Sequence, residues 1–506
     1  MTGDQTGPIR KVVIAGGGTA GWMTAAWFAK ILKADVPEIV LIESEEIGSV
    51  GVGEATTPYI HVYNRCIGLN EDEFVRFTRG TFKLGIEFVN WGAQGQRYFH
   101  GFGRHGRDYG SLPFHALWLR HALETGDDPL ENYSLTSLAA RDGRFMRPVG
   151  SNSPLAEIAY AYQFDASLYA RYLRNLSEAE GVTRIEGRIE DVALDARGFI
   201  ESLNMADGRV VAGDLFIDCT GFRARLLGEA LGVGFVDWTH WLPCDRALAM
   251  PTRRDGPPPP YTRSTALGSG WQWRIPLQHR DGNGHVFASS FIDEERALAD
   301  LHAHLEGEPL AEARLIRFTT GRRARFWEKN CVAVGLSAGF LEPLESTSIM
   351  LIQNAIARLQ YLFPDKGFAE ADIAAYNAAM TREYEDVRDF LILHYKAGGR
   401  DDTDFWRYCA HMPVPDALNE RMALFRSRGR IPEERGEQFR TPSWLAVMWG
   451  QGLRPVAPDP LSLSIDAETV NRWLADLREV IGRCRDHMPR HEDFIAQHCR
   501  ADLSAV

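Results

Sequence analysis

Three glycines near the N-terminus have the spacing of a dinucleotide-binding turn. Gly16, Gly18 and Gly21 form a G-x-G-x-x-G pattern between a short apolar run and an alanine-rich stretch of helical character. In such a unit the first glycine permits a tight turn, the second lets the backbone approach a pyrophosphate, and the third lets helix pack closely on strand. A second apolar run ends at Glu43, where an acid can bind a ribose hydroxyl. This order of strand, turn, helix, strand and acid predicts a bound dinucleotide.

Two further charged side chains stand in patterns that could carry chemistry. Lys83 lies among apolar residues in a segment, 71–91, that reads as a helix and then strands. On these residues alone we expect its stem to pack and its ammonium to reach water. Glu345 precedes Ser346, Thr347 and Ser348 where helical periodicity begins, and the free amides of a helix start can bind an anion. The plain alternative is that Glu345 is only a favourable carboxylate in a first turn.

Two other motifs each allow a functional and a structural interpretation. Gly335 to Gly339 fits the G-x-S-x-G pattern after a strand, as in a nucleophile elbow, but an elbow serine should lead directly into a helix. The non-helical segment Phe340 to Pro343 intervenes, so we exclude that function. Trp271 and Trp273 stand two apart in residues 270–276, which alternate like an edge strand, and therefore share a face. Such a pair forms either core or the wall of a planar cofactor.

Composition narrows the class of protein. The chain has 506 residues, 45% of them apolar, and a formal net charge of −12. The charge disfavours a nucleic-acid partner, and no apolar stretch is long enough to span a bilayer. Seven scattered cysteines without C-x-x-C spacing indicate a reduced, cytoplasmic protein. We find no zinc or calcium pattern and expect no metal.

The remaining segments predict how these residues are positioned. Residues 164–180 have the pattern of an amphipathic helix, and 183–218 that of successive strands, the last of which should return to the first sheet. A proline-rich connector covers 254–260, and the chain is mainly helical from about residue 369.

Taken together, these segments resemble the flavin-dependent tryptophan halogenase family over nearly the whole chain. The W-x-W-x-I-P element is the most distinctive of the matching motifs, whereas the glycine pattern is shared with many flavoproteins. The matching stretches are Gly16 to Met23, Gly51 to Thr56, Phe82-Lys83 with Phe88 to Trp91, Leu215 to Cys219, Gly270 to Pro276, and Phe340 to Thr347.

The resemblance implies an activity. In that family FADH2 reacts with O2 to give a flavin hydroperoxide, which oxidises a halide, chloride or bromide, to hypohalous acid. The oxidant then halogenates an electron-rich aromatic ring, such as an indole, in a separate pocket. By position Lys83 and Glu345 would be the catalytic pair, and the halide would lie near Thr347 and Ser348. No second dinucleotide pattern is visible, so a separate flavin reductase would supply FADH2.

Binding residues also follow from the resemblance. A substrate pocket would be lined by His100, Phe102, Trp444, Leu445 and Trp449. The FAD contacts would be Gly16, Gly18, Thr19, Ala20, Gly21, Glu43, Glu54, Ala55, Ile189, Trp271, Trp273 and Leu336.

Two departures from the family pattern bear on specificity. Ser348 stands where the family usually has glycine, which leaves the choice of halide open. Tryptophan-specific members use a tyrosine pair near the C-terminus to hold the amino-acid part of the substrate. Trp444 and Leu445 stand in its place, and an apolar pocket suits a substrate without a zwitterion. We therefore hypothesise that free indole or another small aromatic is preferred.

The expected fold is α/β: an FAD-binding, flavin-monooxygenase-like unit of the Rossmann βαβ type over residues 1–390, with a substrate-pocket insertion near 92–160. A mostly helical region, 391–506, would close the pocket. A homodimer is left open. The alternative functions are a flavin-dependent aromatic hydroxylase, which needs no relay through Lys83, and a flavin-binding protein without turnover.

Overall fold

The computed structural model describes residues 7–32, 37–46, 53–126, 128–150, 152–433 and 436–502. Part of the motif Gly51 to Thr56, namely Gly51 and Val52, lies outside these ranges. The strands are β1 (Lys11–Ala15), β2 (Glu38–Glu43), β3 (Gly53–Ala55), β4 (Thr81–Lys83), β5 (Gly85–Val89), β6 (Arg97–Gly101), β7 (Ala161–Asp165), β8 (Thr183–Glu186), β9 (Ile189–Leu194), β10 (Ile200–Met205), β11 (Val210–Ala212), β12 (Leu215–Asp218), β13 (Phe235–Asp237), β14 (Arg246–Thr252), β15 (Thr262–Leu267), β16 (Gly270–Pro276), β17 (Asp281–Phe287), β18 (Arg314–Arg317), β19 (Gly321–Arg323), β20 (Trp327–Glu328), β21 (Cys331–Ala333) and β22 (Gly339–Phe340).

The α-helices follow the amphipathic and capping signals of the sequence. They are α1 (Thr19–Ile31), α2 (Ile60–Cys66), α3 (Glu71–Phe77), α4 (Phe114–Thr125), α5 (Leu135–Arg141), α6 (Ala166–Ala179), α7 (Glu294–Ala303), α8 (Ser348–Tyr361), α9 (Glu370–Lys396), α10 (Asp404–His411), α11 (Asp416–Arg428), α12 (Thr441–Gly450), α13 (Ala467–His487) and α14 (His491–His498). The predicted helix at 164–180 and the helical C-terminal region are confirmed. Within the described ranges, no helix is both long and apolar enough to cross a membrane.

The chain forms two compact units, each assembled from three separate segments. The first unit comprises Met1–Arg79, Phe164–Thr239 and Phe318–Glu385, and the second comprises Gly80–Gln163, His240–Arg317 and Asp386–Val506. The domain boundary expected near residue 390 stays a prediction.

A mainly parallel sheet forms the centre of the first unit. Its strand order is β20, β21, β12, β1, β2, β8, with β20 antiparallel at one edge. β1 pairs in parallel with both β2 and β12, so the strand ending at Asp218 does return to the first sheet, as predicted. From Val12 to Ala15, β1 is apolar and fully buried, as parallel strands covered on both faces are.

A larger mixed sheet forms the second unit, in the order β18, β14, β17, β16, β15, β5, β6. β16 pairs with β15 and β17, so it is an interior strand and the prediction of an edge strand was wrong. The two polar side chains that produce the alternation, Gln272 and Arg274, are held by protein partners. The Gln272 amide donates to the His304 carbonyl at 3.3 Å, and Arg274 donates to Asp281 at 2.9 Å.

Candidate active site

The glycine turn of the first unit has the conformation that the sequence predicts. Gly16 follows β1 with a φ of +110°, which favours glycine, and its N–H donates to the Ile42 carbonyl at 2.8 Å. A Cβ on Gly16 would lie 2.2 Å from the Cys219 carbonyl oxygen, and one on Gly21 would lie 1.9 Å from the Gly16 oxygen. The first and third glycines are therefore required by the turn and by close packing.

Gly18 has a different environment. A Cβ added there would meet nothing within 4 Å, so space is open beside the backbone where α1 begins at Thr19. A Cβ on Gly335 would lie 2.6 Å from the Ala20 Cβ, which places the turn that carries Leu336 against the first turn of α1. An open helix start with free amides fits the pyrophosphate of a dinucleotide.

Glu43 ends β2 beside this turn. Its Oε2 accepts from the Trp22 indole N–H at 3.2 Å, and its Oε1 accepts from Arg174 at 3.4 Å and from Arg184. The carboxylate is thus fixed in orientation and its charge is compensated, while a carboxylate retains further acceptor sites for a ribose hydroxyl. These two arginines could not be predicted from local patterns, because they come from α6 and β8.

Three other predicted cofactor residues lie in the first unit. Ala55 is buried at the end of β3, and removal from water raises the pKa of Glu54 to about 7. Ile189 begins β9, and its carbonyl accepts from Arg225 at 2.6 Å. Their contact with a cofactor stays a prediction.

The segment before α8 combines a strained turn with a helix start. A short helical turn, Pro343–Glu345, leads to Ser346 at a φ of +59°, and Thr347 is the N-cap residue of α8. Glu345 and Thr347 are buried, and the Thr347 Oγ1 has no hydrogen-bond partner among the described residues. The helix begins where the sequence predicted, with unmet amides and a hydroxyl that suit an anion.

The hydroxyl of Ser337, unlike that of Thr347, is already hydrogen-bonded. It lies in the short turn Gly335–Ser337, followed by β22 and not by an α-helix, and its hydroxyl donates to the Val334 carbonyl at 3.0 Å and to that of Asp218. This geometry agrees with the exclusion of a nucleophile elbow.

Lys83 lies in the second unit and is 0% exposed, so the expectation that its ammonium reaches water is wrong. It ends β4, which pairs with β7. Its Nζ lies 5.3 Å from the centroid of the Phe102 ring. Burying an ammonium is costly unless its environment compensates the charge. Buried titratable groups of this kind are common at functional sites.

The strands position Phe102 and His100 relative to Lys83. The Phe102 N–H donates to the Leu84 carbonyl at 2.8 Å, and β6 pairs with β5 so that His100 opposes Ile86. The structure therefore brings Phe102 to the lysine and places His100 on the adjacent strand, opposite Ile86.

An aromatic cluster joins His100 to Trp444. The His100 ring lies 5.8 Å from that of Phe390 and 6.4 Å from that of Phe439. Phe390 stacks on Phe439 at 3.8 Å and meets Trp444 edge-on at 4.9 Å. Leu445 follows and is buried. The sequence missed Phe390 and Phe439, since a phenylalanine in a helix or loop carries no local signal of a pocket.

The polar groups of this cluster are already engaged. The Trp444 indole N–H donates to the Phe439 carbonyl at 3.1 Å. Arg421 lies 4.2 Å over the Trp444 ring and forms an ion pair with Glu437. The Trp444 N–H is therefore already engaged, and the Leu445 side chain has no donor. That these two residues line a substrate pocket stays a prediction.

Trp449 does not join the cluster. It packs on Trp118 at 4.9 Å, with Arg454 3.6 Å over its ring, and lines a cavity of about 320 Å³ together with Asp128. Trp449 follows Trp444 by five residues in α12, so the two side chains lie on different faces of this helix. Its role as a substrate contact stays a prediction.

The tryptophan pair of β16 is buried in the second unit. Trp271 lies 6.4 Å from Trp91 and 6.2 Å from Trp273. The two side chains share a face, as predicted, and their contact with FAD stays a prediction.

Comparison with known proteins identifies the family. The family model described as Tryptophan halogenase matches residues 11–467. The chain belongs to this family. It is therefore an enzyme, a flavin-dependent halogenase, a class that uses FAD and a halide.

Individual relatives agree with this assignment. Tryptophan 6-halogenase SttH of Streptomyces toxytricini is 35% identical over 96% of this chain and 98% of its own. Two solved flavin-dependent halogenases are more similar in sequence. Xcc4156 from Xanthomonas campestris is 45% identical with a TM-score of 0.95, covering 98% of this chain and 99% of its own. BrvH from Brevundimonas sp. BAL3 is 46% identical with a TM-score of 0.93, covering 96% and 99%.

The glycine turn allows a matched pair of substitutions. Gly16→Ala should lower the free energy of unfolding by about 2 kcal/mol or more, because it imposes a Cβ on a positive φ and on the Cys219 carbonyl. Gly18→Ala should leave the thermal unfolding midpoint of the apoprotein unchanged and weaken FAD binding by roughly tenfold, since its methyl group fills the space beside the helix start. Calorimetry and fluorescence titration measure the two effects. Wild-type FAD affinity in Gly18→Ala would contradict the assigned site.

Proposed function

We propose that this enzyme halogenates a small electron-rich aromatic, such as free indole, in preference to tryptophan. The observation that carries this proposal is the wall formed by Trp444 and Leu445, both buried, with the Trp444 N–H already bonded to Phe439. A zwitterion placed against that wall would lose hydration without gaining partners from these two residues. A neutral indole would lose little.

FAD would be held by the first unit. Gly16, Gly18 and Gly21 would shape the backbone around the pyrophosphate, the amides at Thr19 and Ala20 would donate to it, and Glu43 would accept from a ribose hydroxyl. Bound as FADH2, the cofactor would supply two of the electrons that reduce O2, and the halide would supply the other two as it is oxidised to hypohalous acid, with water as the second product. Because the sequence holds one dinucleotide fingerprint, we propose that a separate flavin reductase delivers FADH2. The cysteine usage supports a cytoplasmic location.

The halide would lie at the start of α8. Thr347 and Ser348 stand at the start of α8, where the amides of a helix favour an anion, and the Thr347 hydroxyl is buried without a partner in the described part of the chain. Ser348 brings a side chain to this position, so the preference between chloride and bromide stays open.

Lys83 would handle the oxidant in the second unit. Either its ammonium hydrogen-bonds hypohalous acid, or its amine, once deprotonated, takes the halogen as the O–X bond of hypohalous acid breaks. In both cases the lysine presents an X⁺ equivalent to the ring. The carbon–halogen bond forms as the bond from halogen to oxygen or nitrogen breaks. Glu345 would accept the proton that the ring carbon releases, and the oxygen of hypohalous acid would leave as water. Burial of Lys83 supports this role, since it keeps bulk water from consuming the oxidant.

Replacement of the lysine tests its role. Lys83→Met keeps a similar buried volume and removes the ammonium, so bromination of indole should fall by at least about 100-fold. Oxidation of FADH2 by O2 should stay within about twofold of wild type, because the nucleotide turn is untouched. Lys396→Met is the matched control in the same unit, since the Lys396 ammonium donates to the Ala410 and Met412 carbonyls at 2.6 and 2.7 Å. Substantial bromination by folded Lys83→Met, seen by mass spectrometry, would refute the assignment.

Substrate preference is tested by direct competition. With bromide, kcat/KM for free indole should exceed that for tryptophan by at least about tenfold, since one unmatched buried charge costs more than 1.4 kcal/mol. The double variant Trp444→Tyr, Leu445→Tyr restores two hydroxyls and should narrow this ratio. Comparable turnover of the two compounds at equal low concentration by the wild-type enzyme would show that the apolar wall does not set specificity.

A further inference from the structure

The strand that carries Lys83 has one edge that no other strand covers in the described structure. β4 pairs with β7, with Phe82 opposite Tyr162, yet the Phe82 N–H donates to Nε2 of His491 at 3.2 Å. The Phe82 carbonyl accepts from the Gln163 amide at 3.3 Å. Buried backbone groups must find partners, so side chains here complete the bonding that a neighbouring strand would provide.

His491 can make these bonds in only one protonation state. Its Nδ1 lies 2.8 Å from the Pro258 carbonyl oxygen, which can only accept, so Nδ1 must carry the hydrogen. Nε2 must then be unprotonated to accept from Phe82. The side chain is 1% exposed, and burial together with the nearby Arg254 lowers the pKa of His491 to about 4. Environment and hydrogen bonds therefore select the same neutral tautomer.

Neighbouring contacts hold the rest of this short strand. The Gln278 amide donates to the Gly80 carbonyl at 2.7 Å, and the Thr81 hydroxyl donates to the Pro276 carbonyl at 2.7 Å. The Phe82 ring stacks on that of Phe145 at 4.1 Å and meets Phe494 edge-on at 5.3 Å. Among these contacts, that of His491 fixes the Thr81–Phe82 peptide unit, which is adjacent to the unit that carries the Lys83 N–H.

We propose that His491, in the last helix of the chain, is a positioning residue for the halogenation step. Its Nε2 fixes the Phe82 amide, and the extended backbone then sets the direction of the Lys83 side chain. Phe82 and Lys83 are consecutive residues of one extended strand. A shift of the Phe82 backbone therefore also moves the Lys83 side chain, which points to the opposite face. This inference rests on the proposed function of Lys83. A displacement of about 1 Å at a reacting group can cost roughly 100-fold in rate.

Three variants separate positioning from simple stability. His491→Phe keeps an aromatic ring and removes the acceptor for the Phe82 N–H. His491→Gln retains a carbonyl that can accept and an N–H that can donate. His487→Phe is the matched control, since His487 is exposed at the end of α13. Each variant is assayed for bromination of indole, for FADH2 oxidation and for thermal unfolding.

We expect kcat for bromination by His491→Phe to fall by about 10- to 100-fold, with KM for indole changed by less than about threefold. FADH2 oxidation should stay at the wild-type rate at a temperature where the variant is folded. His491→Gln should recover most of the lost kcat, and His487→Phe should match wild type in all three measurements.

Two results would overturn the proposal while leaving the role of Lys83 intact. One is a folded His491→Phe with wild-type kcat, alongside an inactive Lys83→Met. The other is a His491→Gln that loses as much kcat as His491→Phe, because the acceptor would then be irrelevant. If Lys83→Met itself brominates normally, the proposed function fails instead, and the two failures are thereby distinguished.

Discussion

The second unit must accommodate a fully buried ammonium, that of Lys83. An ammonium loses several kcal/mol of hydration when it is buried, and the fold must compensate for that loss. β4 supplies the backbone, β7 pairs with it, and the face of Phe102 lies 5.3 Å from Nζ. A ring face carries partial negative charge, so this contact offsets part of the lost hydration. We infer that the cost is retained because the reaction needs an amine in dry surroundings.

The first unit prepares its sites mainly with backbone geometry. Gly16 and Gly21 are close-packed positions where any Cβ would collide with a carbonyl, whereas Gly18 opens onto free space. The start of α8 shows the same division, with Ser346 strained at a positive φ and the Thr347 hydroxyl left without a partner in the described structure. Rigid geometry next to an unfilled position is how a protein prepares a site for a ligand that it must hold without rearranging.

Local patterns predicted the fold and the nucleotide turn well, because their determinants lie within a few residues of one another. The glycine roles and the start of α8 are of this kind. The return of β12 to the first sheet was also predicted, from its buried-strand pattern, although Val12 pairs there with the distant Leu215. Lys83 shows the limit: its apolar neighbours were visible, but whether its head met water depended on Phe102 and the sheet. The alternation of β16 misled for the same reason, since this strand pairs on both sides and Arg274 donates to Asp281. His491, Phe390 and Phe439 could not be predicted, because their contacts join segments far apart in sequence.

The central claim is that oxidised halide reaches the aromatic ring through Lys83. The most direct measurement follows the fate of bromide in the presence of indole and a soluble compound that traps hypobromous acid. We predict that the wild-type enzyme brominates indole, and that Lys83→Met brominates the trap at the rate at which the wild type oxidises bromide. The account would be contradicted if Lys83→Met gave the same brominated indole products as the wild type and divided bromine between indole and the trap in the same ratio.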